Sequence, residues 1–282
     1  MNDNLKLNIA DIFFLFITKE RALIFKHNLP YRHFLTDGKA DSRPEVILRF
    51  QYGLYSHQNK NKRILFDAQP NWRLYYSNKK YILEGRDRTM VLTSDFTSGE
   101  IYIVKNRDDF PFAYPLDEIL MINLLGRKRG ILMHACGVRN RNGRVILFAG
   151  SSDAGKSTMA NLWKSKRAVT VLNDDRIIVR KKKACFWAYG TPWYGDVKVC
   201  SPEKAPLEKV FFLKHSKNNT IRKTIPIEAT SRLITCCFPT FWDKKGMEFT
   251  LSFCAELAQN VPCYELGFIP DKSIIEFLKG VF

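Results

Sequence analysis

Residues 145–158 read VILFAGSSDAGKST, and this stretch decides the fold of the second half of the chain. Its first five residues, Val145–Ala149, form a continuous apolar run of strand length. Residues 150–158 then match the G-x-x-x-x-G-K-S/T pattern of a Walker A loop in full, and residues 159–164 predict a helix. The motif therefore has the strand–loop–helix setting in which such a loop binds a nucleoside triphosphate.

Each position of this loop suits a phosphate chain. Gly150 and Gly155 allow the backbone to curl so that consecutive N–H groups face phosphate oxygens, and the following helix adds its positive dipole end. Lys156 is predicted to bridge the β- and γ-phosphates, and the Ser157 hydroxyl to ligate magnesium. The residues predicted to bind the nucleotide are Gly150, Ser151, Ser152, Asp153, Ala154, Gly155, Lys156, Ser157 and Thr158.

Two adjacent carboxylates follow the next apolar run. Residues 168–172 predict a strand, which ends in Asn173-Asp174-Asp175-Arg176. We expect this strand to lie parallel and adjacent to the strand before the loop, so that both end at the edge of the sheet where ligands bind. An acid pair there fits a magnesium-binding role, and the neighbouring charges raise one pKa, which suits a general base. A turn with two solvated acids is the alternative.

His134 lies shortly before the loop strand, in the apolar segment LMHACG of residues 132–137. A single histidine in such a setting is more often a packed, hydrogen-bonded residue than a catalyst. Cys136 beside it is expected to be a small core residue rather than a nucleophile.

The bulk properties indicate a folded protein with an attraction for anions. The chain has 282 residues, 45% of them hydrophobic, and a formal net charge of +17. The sequence contains no helix-turn-helix, zinc-finger or RNA-binding pattern, so nucleic acid is not an expected partner. Seven cysteines without a C-x-x-C pair indicate reduced thiols in a cytoplasmic protein. The apolar run at residues 12–17 is too short for a membrane span and predicts a strand.

The chain is predicted to form two domains. Residues 1–112 carry short β-branched and aromatic stretches between turn formers, which predict a mainly β domain of unknown role. The segment at residues 111–115, PFAYP, marks the boundary. Residues 113–282 begin with a helical period and continue with alternating strands and helices, as an α/β domain does.

Several segments together resemble one family. They are residues 134–138 (HACGV), the loop GSSDAGKST, the string NDDR followed by IIV, and residues 189–196 (YGTPWYGD). These resemble the HPr kinase/phosphorylase family, whose fold is related to the catalytic domain of ATP-dependent phosphoenolpyruvate carboxykinase. The resemblance covers roughly residues 114–282 and implies a phosphotransferase that uses ATP and Mg²⁺. It also implies a homo-oligomer, and some related bacterial proteins phosphorylate a precursor peptide.

The resemblance implies a role for each matched residue. Lys156 corresponds to the lysine that grips the phosphates, and Ser157 to the magnesium ligand. Asp175 corresponds to the acid that deprotonates the acceptor hydroxyl, Asp174 lies near the metal, and His134 matches the active-site histidine.

The chain also departs from the family. Residues 186–190 (FWAYG) lack the family's metal-binding glutamate, for which Asp196 is the candidate substitute. Arg232 is the candidate for the family's later arginine. These departures make HPr itself an unexpected substrate.

Three functions are open from the sequence. The first is a kinase that transfers the γ-phosphoryl group of ATP to a hydroxyl of a peptide, a protein or a small molecule. The second is a carboxykinase-type enzyme, and the third is a non-catalytic nucleotide-binding module. The sequence does not distinguish ATP from GTP as the nucleotide.

Overall fold

The computed structural model describes residues 3–18, 29–36, 43–56, 62–104 and 110–279. The chain divides into two compact units, residues Met1–Leu124 and Leu125–Phe282. This division falls later in the chain than the segment at residues 111–115. Each unit holds one eight-stranded sheet with parallel and antiparallel pairs, so the fold is mixed α/β. Within the described residues, no helix combines the length and apolar character that crossing a membrane requires.

The first unit is built on a sheet with the strand order β1-β2-β3-β8-β7-β6-β5-β4. Strand β3 pairs in parallel with both β2 and β8, and the other pairs are antiparallel. The apolar run at residues 12–17, which predicts a strand, lies in β2. The elements are β1 (Asp3–Ile9), β2 (Ile12–Thr18), α1 (Leu29–Arg32), β3 (Val46–Tyr52), β4 (Arg63–Ala68), β5 (Trp72–Ser77), β6 (Lys80–Gly85), β7 (Arg88–Thr93), β8 (Ser98–Ile103) and α2 (Leu116–Leu125).

The second unit has the strand order β10-β9-β12-β13-β14-β16-β15. Strand β11 also pairs with β9, and β10 also pairs with β14. The elements are β9 (Ile131–Arg139), β10 (Val145–Ala149), α3 (Lys156–Lys164), β11 (Thr170–Asn173), β12 (Arg176–Lys182), β13 (Cys185–Tyr189), β14 (Lys204–His215), β15 (Thr220–Lys223), α4 (Pro226–Thr235), α5 (Lys244–Asn260), β16 (Cys263–Phe268) and α6 (Ser273–Lys279).

Strand β10 lies at the centre of the second unit, between β9 and β14. All five of its residues are buried, which explains why its sequence is apolar without alternation. Val145 and Leu147 join a core cluster that includes residues of α4 and α5. Ile146 and Phe148 join a second cluster, which includes residues of α3 and α6. Helices therefore cover both faces of the sheet at β10, with α4 and α5 on one face and α3 and α6 on the other.

The strand that precedes the acid pair is not adjacent to β10, contrary to the prediction. Strand β9 lies between them, and β10 and β11 each pair with it in the antiparallel direction. Strand β11 pairs with one part of β9, at residues 137–139, and β12 pairs with the preceding part, at residues 131–134. The two strands therefore follow one another along the same edge of β9. A register shift lies between Val171 and Asn173. The acid pair therefore interrupts a line of strand pairing instead of ending a parallel strand.

Candidate active site

The loop of residues 150–155 joins β10 directly to α3, and the helix begins at Lys156, earlier than the predicted residue 159. Gly155 has a φ of +101°, in the left-handed region that favours glycine. A Cβ atom at Gly155 would also lie 2.3 Å from Cζ of the buried Phe268 ring. The second glycine of the motif is thus required by both its backbone conformation and its packing.

The tip of the loop is supported from the ends of two neighbouring strands. Asp153 adopts a φ of +62°, and its carbonyl oxygen lies 2.6 Å from Nε2 of His215. A carbonyl oxygen only accepts hydrogen bonds, so this ring nitrogen donates. The His215 ring stacks on Phe268 with the ring centroids 5.8 Å apart. The loop conformation therefore depends on residues at the ends of β14 and β16.

Lys156 is buried beneath the loop, with 6% of its surface exposed. Its Nζ donates hydrogen bonds to the carbonyl oxygens of Gly150, at 3.1 Å, and Ser151, at 2.7 Å. Burial lowers the pKa of Lys156, and the charge of Asp175 opposes that shift. The other predicted nucleotide ligands are exposed at Ser151, Ser152 and Asp153, half-buried at Gly150, Gly155, Ser157 and Thr158, and buried at Ala154.

Asp175 is held between two basic side chains. Its Oδ1 lies 2.8 Å from Nε2 of His134, and its Oδ2 accepts a hydrogen bond from Nη1 of Arg176. Burial raises the pKa of Asp175, but the His134 hydrogen bond and the charges of Arg176, His134 and Lys156 together bring it below the usual value. The side chain is 26% exposed, so solvent-borne groups can reach the carboxylate.

The end of α4 supplies a part of the site that the sequence did not indicate. The backbone N–H of His134 donates to the carbonyl oxygen of Cys236 at 2.7 Å. The guanidinium of Arg176 lies 4.2 Å above the centre of the Phe238 ring, and the His134 ring centroid lies 6.0 Å from that ring. Phe238 thereby contacts both groups that hold Asp175. No local motif around residues 236–238 marks this contact.

The buried Asn173 side chain organises the acid pair. Its Oδ1 accepts hydrogen bonds from the backbone N–H groups of Asp175, at 2.7 Å, and Arg176, at 2.8 Å. Its Nδ2 donates to the carbonyl oxygen of Thr191 at 2.9 Å. This Asx-type turn compensates for the strand pairing that is interrupted there. It also sets the direction in which Asp175 leaves the backbone.

Asp174 points away from its neighbour and is 1% exposed. Its Oδ1 accepts from the backbone N–H of Gly195 and its Oδ2 from that of Val197, both at 2.9 Å. A Cβ atom at Gly195 would lie 2.9 Å from Asp174 Oδ2, so the glycine permits the approach. Asp174 thus holds the glycine-rich stretch at residues 189–196 next to the acid pair. Its magnesium-binding role stays a prediction.

The residues present fit a magnesium ion that is bound mainly by a nucleotide. Among the described residues, no three His, Cys, Asp or Glu side chains converge as a protein-only metal site requires. Mg²⁺ at a phosphate site takes few protein ligands and keeps several waters. The half-buried Ser157 hydroxyl, in the first turn of α3, meets that requirement.

The two residues suggested as family substitutes lie in different settings. The side chain of Asp196 is exposed, within the stretch that Asp174 holds. Arg232 pairs with Glu228 at 3.1 Å and with Glu265, and its guanidinium lies over the Phe212 ring. Arg232 is thus engaged in an ion-pair cluster between α4 and β16. Its predicted place in the site stays untested.

The comparisons with known proteins find a distant likeness in structure alone. No family model matches the chain, and no curated protein matches it. Among solved structures, the HPr(Ser) kinase/phosphatase from Coxiella burnetii is similar, with 12% sequence identity and a TM-score of 0.31. The match covers 53% of this chain and 94% of that chain.

Replacing Asn173 with Ala is expected to lower the free energy of unfolding by about 1–3 kcal/mol, because buried groups lose their hydrogen-bond partner. Urea denaturation followed by circular dichroism measures the change. Asn161→Ala is the matched control, since Asn161 is exposed on α3, and its effect is expected to stay within about 0.5 kcal/mol. Equal stability of the two variants would contradict the role of Asn173.

Proposed function

We propose that the chain is a kinase that uses a nucleoside triphosphate and Mg²⁺ and transfers the γ-phosphoryl group to a hydroxyl. The observation that carries this proposal is the placement of Asp175. Its carboxylate is held by His134 and Arg176, and it lies close enough to Lys156 for each charge to shift the pKa of the other group. A base beside a phosphate-binding loop is the arrangement that transfer to an acceptor requires.

The loop supplies the electrostatic part of the reaction. In this proposal the Lys156 ammonium and the N–H groups at the start of α3 stabilise charge on the transferred group and on the leaving phosphate. In this proposal the Ser157 hydroxyl holds Mg²⁺, and Asp174 is the second predicted residue near the metal. When bound, the ion neutralises charge on the β- and γ-phosphates.

Asp175 accepts the acceptor's proton in this proposal. The acceptor's hydroxyl oxygen forms a bond to the γ-phosphorus. At the same time the bond between that phosphorus and the oxygen that joins the β- and γ-phosphates breaks, and the nucleoside diphosphate leaves. The hydroxyl proton passes to the Asp175 carboxylate. The lowered pKa keeps Asp175 ionised at neutral pH. Because such transfer depends more on positioning than on basicity, a firmly oriented carboxylate suffices.

His134 and Arg176 are positioning residues in this scheme. Each contacts a different carboxylate oxygen of Asp175, and together they restrict its rotation. Phe238 in turn packs against both. The acceptor must therefore approach Asp175 from its exposed side. A serine of a peptide or protein, or a small-molecule hydroxyl, satisfies this chemistry.

Replacing Asp175 with Asn is expected to reduce phosphoryl transfer by about 10²–10⁴-fold, because the amide cannot accept the hydroxyl proton. Nucleotide affinity is expected to stay within a few-fold. Transfer is measured with γ-labelled ATP and Mg²⁺ in a cell extract, followed by separation of protein, peptide and small-molecule fractions. Glu248→Gln, an exposed acid-to-amide change on α5, serves as the control and is expected to retain transfer.

The labelled-ATP assay and a separate assay for phosphoenolpyruvate distinguish the competing functions. Unchanged transfer by Asp175→Asn would exclude Asp175 as the base. A wild-type protein that binds ATP but labels no fraction would indicate a nucleotide-binding module. Formation of phosphoenolpyruvate from oxaloacetate and ATP would indicate the carboxykinase-type reaction.

Replacing Lys156 with Ala is expected to weaken binding of a non-hydrolysable ATP analogue by about 10–100-fold, through loss of a charged hydrogen bond to phosphate. Titration calorimetry with Mg²⁺, and again with a chelator, measures the affinity and its dependence on the ion. The control is Lys164→Ala, at the exposed far end of the same helix. Equal affinities for the Lys156 variant and the wild type would contradict the assignment of the loop.

A further inference from the structure

The second unit contains a cavity of about 380 Å³ that lies outside the site described above. It is formed by the turn between β9 and β10, the C-terminal end of α3, and α6. The Walker A loop lies at the other ends of β10 and α3. Because nine helical residues rise by about 13 Å, the cavity is separate from the predicted phosphate site.

The floor of the cavity is apolar and well packed. Trp163 of α3 is 6% exposed and Ile275 of α6 is 2% exposed, and both line the cavity. Both also belong to the core cluster on this face of the sheet. The volume lies within the ~300–1,000 Å³ range of small-molecule sites. The apolar part of a small molecule can therefore pack against Trp163 and Ile275.

The lining side chains bring an excess of positive charge. Arg141, Lys166, Arg167 and Lys279 all line the cavity, whereas no Asp or Glu of the described residues does so. Lys279 pairs with Glu276 at 2.6 Å. Within the part of the chain that the structure describes, the other three cations make no ion pair. A cluster of like charges repels itself unless an anion lies among them.

The end of α3 does not cancel this charge. A helix C-terminus carries a partial negative charge of about half an elementary charge, which disfavours an anion. The positive charge of the three cations without ion-pair partners is several times larger than this partial negative charge. In the last turn of α3, the carbonyl oxygen of Trp163 also accepts a hydrogen bond from the backbone N–H of Lys166 at 3.0 Å, so this carbonyl group is satisfied.

The turn that presents Arg141 is held in one conformation. The N–H of Gly143 donates to the carbonyl oxygen of Asn140 at 3.0 Å. The Asn140 side chain, 5% exposed, accepts from the N–H groups of Asn142, at 3.1 Å, and Arg144, at 3.0 Å, and donates to Glu208 at 2.9 Å. Arg141 therefore projects from a fixed backbone, which reduces the entropy lost when it binds an anion.

We propose that this cavity binds an organic phosphate, with the apolar body over Trp163 and Ile275 and the phosphate among Arg141, Lys166 and Arg167. A phosphate group offers three acceptor oxygens and up to two negative charges to such a cluster. A compact cavity with an apolar floor favours a small molecule over a nucleic-acid strand, which binds along extended basic grooves. This site is independent of the proposed kinase reaction.

The test uses 1-naphthyl phosphate as the probe in titration calorimetry on the full chain. The Walker A loop is first saturated with a non-hydrolysable ATP analogue and Mg²⁺, so that the loop cannot bind the probe. One probe is expected to bind per chain, and 1-naphthol, which lacks the phosphate, is expected to bind at least about tenfold more weakly. The double variant Arg141→Gln/Arg167→Gln is expected to lose about tenfold or more in affinity for the same reason.

The double variant Lys164→Gln/Lys244→Gln is the matched control. It removes the same net charge from exposed positions that do not line the cavity, and its affinity is expected to change by less than about twofold. Thermal unfolding establishes that both double variants are folded.

Several results would overturn the proposal. The first is that the wild type does not bind 1-naphthyl phosphate at millimolar concentration. The second is that 1-naphthol binds as tightly as 1-naphthyl phosphate. The third is that the double arginine variant binds the probe with the affinity of the wild type. An equal loss in both variants would indicate general charge attraction only. Displacement of the probe by a single-stranded RNA would assign the surface to nucleic acid instead.

Discussion

The pairing of strand β9 along both of its edges is the constraint on which the rest of the site depends. On one edge Ala135 lies opposite Ala149, the last residue before the Walker A loop. On the other edge His134 lies opposite Arg176, the first residue after the acid pair. One strand therefore sets the distance between the loop at residues 150–155 and Asp175. A shift of one residue in either register would turn His134 to the opposite face of the sheet.

The charges of the site support one another. Burying an isolated lysine or carboxylate is costly, but a buried ion that is hydrogen-bonded by well-placed partners is tolerated. Lys156 has two loop carbonyl oxygens, and Asp175 has His134 and Arg176. Lys156 and Arg176 thus bring two positive charges close to the Asp175 carboxylate.

Local backbone rules made the loop predictable. Strand β10 and the loop at residues 150–155 lie where the motif indicates, because glycine spacing and an apolar run are features of a short contiguous segment. The neighbours of β11 were predicted wrongly, since a short apolar run does not reveal whether its partner is parallel or antiparallel. The resemblance implied that His134 matches an active-site histidine, but its contact with Asp175 was not predicted.

Other parts of the site were not predictable from local pattern. Phe238 and the carbonyl group of Cys236 reach the site from the end of α4, far along the chain from His134. The position of Asn173 before the acids is visible in the sequence, but its four side-chain hydrogen bonds depend on Thr191 and on the interrupted strand pairing. Tertiary contacts of this kind leave no periodic signal.

The support of the loop by His215 and Phe268 has a consequence for biosynthesis. Asp153 and His215 are 62 residues apart, so the loop emerges from the ribosome well before the strands that hold its tip. A nascent chain that ends before β16 carries the whole phosphate-binding motif but lacks the Phe268 ring against which Gly155 packs. The loop can therefore take up its folded conformation only after β16 has docked.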